Sequence, residues 1–144
     1  MKNILFALTL LSTSFVSAQY WQQAVDYTIE VALDHKTAQY NGNQTVIYTN
    51  NSPETLHKVF FHQYFNAFNP GSEMAIRLKN AGDKNGRFKV DIDSLSPKQQ
   101  GYLKVSGLTQ DGVMVEVVDS ETILEVTLPQ ALAPGESTTF KMSF

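Results

Sequence analysis

An antiparallel β-sandwich, or a related pair of β-sheets, is the all-β fold this sequence predicts, and three observations lead there. Val25, Tyr27, Ile29, Val31 and Leu33 recur at period two with Asp26, Thr28 and Glu30 between them, the alternation of a half-buried strand. The last third of the chain holds four more short β-rich runs, YLKVSGL, VMVEVV, TILEVTL and TTFKMSF, separated by the turn-forming TQDG, DSE and APGES. Aromatic and β-branched residues also cluster between Leu56 and Phe65, closed by Pro70-Gly71.

Taken in order, Val25 to Leu33 is the first strand. The polar bend HKTAQYNGNQ follows, with Asn41-Gly42 as its turn signal, and QTVIYTN restores β-formers for a second, antiparallel strand. Asn50 to Glu54 ends that strand with turn residues. Leu56 to Phe65 is apolar on both parities, with Val59, Phe61 and Phe65 on one and Phe60, His62 and Tyr64 on the other, which predicts a strand covered on both faces. Residues 74–97 form one long irregular excursion rich in Gly, Asp, Asn and Lys, with a helical turn near Met74 to Leu78. In the final run Phe140, Met142 and Phe144 alternate with Lys141 and Ser143, and the alternation is still running at Phe144. That pattern predicts a domain continuing past this point.

Lys2, the apolar run Ile4 to Leu11 and the small residues Val16-Ser17-Ala18 predict an export signal over residues 1–18, cleaved before Gln19. Its apolar core is far shorter than the roughly 20 residues that span a bilayer. The expectation is an exported chain, periplasmic or secreted, with a single domain over residues 19–144 and no membrane span after cleavage. A chain of that length buries enough surface to fold without staples. The sequence has no cysteine, which excludes disulfides, thiolate zinc sites, a cysteine nucleophile and a lipid-modified cysteine. Without Lys2 there are 10 basic and 14 acidic residues, a balance that argues against a nucleic-acid partner.

Candidate chemistry is sparse. The three histidines are His35, His57 and His62, and none belongs to an HExxH arrangement. His57 and His62 are five apart, so on one regular strand they face opposite ways; His62 is expected to be a hydrogen-bonded structural histidine and His35 to be solvated. Asp83-Lys84-Asn85-Gly86 opens like a calcium loop but continues RFKVD without a late bidentate Glu, so a plain turn is favoured. Asp91 and Asp93 share one strand face in this reading, yet paired carboxylates are common on solvated edges. No GxSxG elbow and no glycine-rich phosphate loop occurs. Tyr20, Trp21, Tyr27, Tyr40 and Tyr48 suit core or interface packing better than a sugar-stacking platform. Asn43-Gln44-Thr45 and Asn50-Asn51-Ser52 match the glycosylation acceptor pattern, which matters only in a eukaryotic secretory route. The expected site residues are therefore none: no catalytic, cofactor-binding or metal-binding residue in this chain.

Three segments go further: YWQQAVDYTIEVALD at Tyr20 to Asp34, VIYTNNSPETLHKVFFHQYFNAFNPGS at Val46 to Ser72, and LPQALAPGESTTFKMSF at Leu128 to Phe144. They resemble the opening domain of gluzincin metallopeptidases of the aminopeptidase N type, particularly the large exported bacterial members. The resemblance implies a saddle-like N-terminal β domain packed on a catalytic domain of the same polypeptide. That downstream domain would carry HExxH and a further Glu for zinc, which polarises the scissile carbonyl and activates water. Peptides would be the substrates, this chain would hold no zinc itself, and its task would be to cover the catalytic cleft. The alternative is a stand-alone exported β-sandwich module that binds a glycan or a protein.

Overall fold

The computed structural model describes residues 20–82, 86 and 90–144, which places the expected leader and Asp83-Lys84-Asn85 outside the described residues. Among the described residues eight strands form two antiparallel sheets: β1 (Ala24–Asp34), β2 (Gln39–Thr49), β3 (Leu56–His62), β4 (Ser106–Gln110), β5 (Val113–Met114), β6 (Glu116–Ser120), β7 (Ile123–Leu132) and β8 (Ser137–Ser143). The larger sheet runs β1-β2-β8-β4-β5 and the smaller β3-β7-β6. This is the all-β, sandwich-like architecture that the alternation predicts. A short 3-10 turn at Tyr64–Phe68 follows β3, and among the described residues of the excursion lie the helix α1 (Glu73–Ala81) and a second 3-10 turn at Ile92–Ser94.

The first hairpin differs from its expected form. Its turn lies at 35–38, where Ala38 adopts φ 55°, and Asn41-Gly42 sits inside β2, paired with Ala32 and Val31. Gly42 is required there by crowding rather than by turning. A Cβ on it would lie 2.5 Å from Phe144 Cζ and 2.6 Å from the Glu30 carbonyl oxygen. Gly42 and Phe144 exchange backbone hydrogen bonds of 2.8 and 2.9 Å, which extends the β2–β8 ladder to Phe144.

β3 also departs from expectation, because only one of its faces is covered. Val59 is buried and Phe61 packs edge-on against Phe140, with ring centroids 5.6 Å apart. On the other parity Lys58, Phe60 and His62 face outward, and the Lys58 ammonium pairs with Glu125 on β7. Runs that are apolar on both parities suit a strand between two layers, but here the second layer is absent from that side among the described residues. The chain leaves β3 through the 3-10 turn and enters α1 where Ser72 Oγ accepts the Ala75 N–H at 3.1 Å. Glu73 in the first turn and Lys79 in the last suit the helix dipole, and Gly82 at φ 68° ends it. α1 is therefore longer than the single turn expected at Met74 to Leu78.

The run VMVEVV divides at Val115: Val113 and Met114 pair with β4 in the large sheet, and Glu116 onward pairs with β7 in the small one. The TQDG turn makes the β4–β5 hairpin, with Asp111 at φ 49° and Gly112 at φ 87°, both left-handed as a type I′ turn requires. Between the sheets lie Val46, Leu108, Phe140 and Met142 from the large sheet and Val59, Leu124, Val126, Leu128 and Leu132 from the small. β1 contributes only Val25, and that only in part.

Candidate functional site

The stretch from Thr45 to Ala75 is held by buried polar side chains rather than by apolar ones alone. Asn50, fully buried at the end of β2, donates from Nδ2 to the carbonyls of Glu54 (2.8 Å) and Leu132 (3.0 Å). Its Oδ1 accepts from Ser52 N (3.0 Å), Ser52 Oγ (2.6 Å) and Gln23 Nε2 (3.2 Å). Its backbone N–H donates to Glu136 O and its carbonyl accepts from Gly135 N, so one residue ties together the β2–β3 turn, the end of β7 and the β7–β8 turn. A buried amide must satisfy both ends of its side chain, and Asn50 does.

A second brace follows β3. Asn66 Nδ2 donates to Gln63 Oε1 (2.6 Å) and to the Glu121 carbonyl (2.9 Å), while Asn66 Oδ1 accepts the Leu103 N–H (2.7 Å). Gln63 is itself buried, and its Nε2 has no hydrogen-bond partner among the described residues. Ser72 Oγ donates to the Ala67 carbonyl at 2.7 Å as well as capping α1. The polar residues of this stretch thus hold loops in place.

The structure does not bring the sequence-derived candidates together. Among the described residues no group of three or more His, Asp or Glu side chains converges on a point that could hold a metal ion. His57 lies at an irregularity in the β3–β7 register, and His35 is exposed in the β1–β2 turn. His62 is exposed too, its ring stacked on Tyr64 at 4.9 Å, so the expected hydrogen-bonded core position is corrected: that parity of β3 faces outward. Asp91 and Asp93 are not on a strand. Asp91 caps the 3-10 turn and Asp93 lies within it: Asp91 Oδ1 accepts Asp93 N (3.1 Å), and Asp93 accepts Gly71 N (2.9 Å) and pairs with Lys79 (3.6 Å).

The aromatics separate by location. Tyr48 packs against the core, and burial pushes its hydroxyl pKa up. Tyr40 meets Phe65 and Phe144 edge-on at 6.5 and 6.1 Å, whereas Tyr20, Trp21 and Tyr27 are exposed. Of the two glycosylation patterns, that at Asn50 is closed in the folded chain because the amide is buried and fully bonded. Asn43 is exposed, with Oδ1 accepting Ser143 Oγ at 2.8 Å.

Two surface features were not legible as sites in the sequence. A shallow cleft of about 330 Å³ lies beside the Asn66 brace, lined by Pro70, Tyr102, Lys104, Asp119 and Glu121. Its polar groups are largely engaged: Glu121 accepts the first N–H of α1 at 3.2 Å, and the Lys104 ammonium sits 5.3 Å above the Tyr102 ring. The other feature is the core-facing side of β1. Tyr27, Val46 and Phe140 form one row across β1, β2 and β8, yet they are 60%, 2% and 0% exposed. The three-stranded sheet roofs β2 and β8 and leaves Tyr27, Ile29, Val31 and Leu33 open. A sequence signal for it existed: five apolar residues on one parity, acids on the other, and no Lys or Arg between Lys2 and Lys36.

No protein-family model matches the chain, and neither the curated proteins nor the solved structures contain a match to it. No helix among the described residues is long and apolar enough to cross a membrane.

Proposed function

We propose that this chain is the non-catalytic N-terminal β domain of an exported zinc metallopeptidase of the aminopeptidase N type. In this reading the zinc site and the peptide-hydrolysing groups belong to a downstream domain of the same polypeptide, and the β domain covers and restricts the cleft. The observation that carries it is how the middle of the three resembling segments, Val46 to Ser72, spends its polar residues. Asn50, Ser52, Asn66 and Ser72 are buried and committed to backbone partners, so their identities serve architecture. The histidines of the same stretch are exposed, which suits a scaffold rather than a metal centre.

Sequencing the reading frame past the Phe144 codon tests the reading directly. It expects an HExxH motif downstream, and peptide hydrolysis that needs zinc in the protein encoded by that complete frame. The chain alone, supplied with zinc, is expected to release no product from aminoacyl or peptide substrates. A stop codon directly after Phe144, or zinc-dependent turnover by the chain alone, would overturn it.

A further inference from the structure

We infer that the free edge of β1 is a strand-addition site for an extended polypeptide segment in which apolar residues alternate with Lys or Arg. The inference goes beyond the family reading and does not depend on it.

The backbone defines the edge. In an antiparallel ladder each residue spends its N–H and C=O on the same neighbour, and the side alternates along the strand. Gly42 exchanges both groups with Phe144, so the even-numbered residues of β2 serve β8 and the odd-numbered ones serve β1. On β1 the partners of those odd-numbered residues are Asp26, Thr28, Glu30, Ala32 and Asp34. The Glu30 carbonyl lies 2.6 Å from the position of a Gly42 Cβ, which confirms that it points inward. Among the described residues the groups left without a strand partner belong to Tyr27, Ile29, Val31 and Leu33. These are the same residues whose side chains form the open apolar row.

An edge of this length with unpaired N–H and C=O groups invites a further strand unless something blocks it. β1 has no proline, no bulge against β2 and no lysine. A strand added here sets its side chains about 4.5–5.5 Å from those of β1 on both faces. On one face it meets Tyr27, Ile29, Val31 and Leu33, so apolar residues fit there.

The opposite face selects for charge. Asp26, Glu30 and Asp34 stand at every second outward position of that parity, all exposed. Their β2 neighbours are Ile47, Asn43 and Gln39, and the nearest base on that sheet face is Lys141 on β8, two strands in and level with Thr28. The ion pairs among the described residues are Lys58–Glu125 and Lys79–Asp93, so none of the three acids is paired. A second copy of β1 is a poor occupant. Antiparallel pairing of β1 with itself sets three acids beside three acids, directly opposite or diagonal, with no base between them. A segment with Lys or Arg at every fourth position and apolar residues at the intervening odd positions satisfies both faces.

The test uses the full chain and a short fluorescent peptide in which valine alternates with lysine or threonine, lysine recurring every fourth residue. Saturable binding is expected, weakening as salt rises. A peptide of the same composition in scrambled order, and one with glutamate for lysine, should each bind at least about tenfold more weakly. Ile29→Pro removes an outward N–H while leaving the β1–β2 ladder bonded, and should abolish binding with the far-ultraviolet spectrum unchanged. Glu30→Lys, which touches no backbone bond, should weaken the lysine peptide about tenfold and strengthen the glutamate one. Absence of saturable binding, equal binding of the scrambled peptide, or indifference to both substitutions overturns the inference. So does concentration-dependent dimerisation that Ile29→Pro removes, because the occupant is then a second copy.

Discussion

β8 and β1 lie two strands apart in one sheet and carry the same alternation of apolar and polar residues, yet they meet opposite fates. Phe140 and Met142 on β8 are buried beneath β3 and β7, whereas Tyr27 and Ile29, which share rows with them, stand open. The difference is not one of residue type, since Ile29 is as apolar as Met142. It is one of sheet width: five strands face three, and the roof reaches no further along β1 than Val25. Period-two patterning therefore names the face a residue joins, while burial depends on what the opposite layer reaches.

That contrast is open to attack by substitution. Phe140→Ala should destabilise the fold by about 3–5 kcal/mol in denaturant titration, because a fully enclosed ring leaves a cavity behind. Ile29→Thr, on an adjacent row of the same face, should cost no more than about 0.5 kcal/mol. Similar losses at the two positions would mean that β1 is roofed after all.

Asn50→Ala should cost about 2–3 kcal/mol, since it leaves the Leu132 carbonyl and the Ser52 N–H without their buried partner. Asn50→Asp should not rescue it, because a carboxylate would then face the carbonyls of Glu54 and Leu132. Gly42→Ala should cost about 1–3 kcal/mol through overpacking, and adding Phe144→Ala should recover only part of that. The ring can be removed, but the Glu30 carbonyl cannot.

The smallest expected effect lies at the tip of the open hairpin. Asp34 is held below the usual carboxylate range chiefly by the Lys36 N–H, 2.9 Å away, and then by Thr37. A lowered folded-state pKa means that the ionised carboxylate favours the folded turn above the unfolded value near 3.8. That contribution is lost as pH falls through the lower folded value. Asp34→Ala should remove this acid-side dependence from a melting-temperature profile, with a small effect because the group is fully exposed.

Much of the fold was legible because local patterns agreed with it. The β1 strand, the Asp111-Gly112 hairpin and the APGES turn all form where the residues indicate, although the half-buried face expected of β1 stands open beyond Val25. What failed was everything set by distant partners. Asn41-Gly42 has turn chemistry, but the approach of Phe144 and Glu30 is what demands its glycine, and neither is a sequence neighbour of Gly42. Phe60, His62 and Tyr64 look like a second buried face, yet nothing among the described residues packs over them. VMVEVV reads as one strand because no pattern within it marks Val115 as the point where the chain changes sheets. The expectation of no converging site chemistry came from absent motifs. The open edge of β1, by contrast, needs the sheet order to be known before its acids and apolar residues can be seen as one surface.

Backbone amide exchange, resolved residue by residue along β1, tests the free edge most directly. The N–H groups of Tyr27, Ile29, Val31 and Leu33 should exchange fast, while those of Thr28, Glu30 and Ala32, bonded to β2, should be protected. Equal protection on both parities would mean that the edge is already covered in the isolated chain, and would contradict the account.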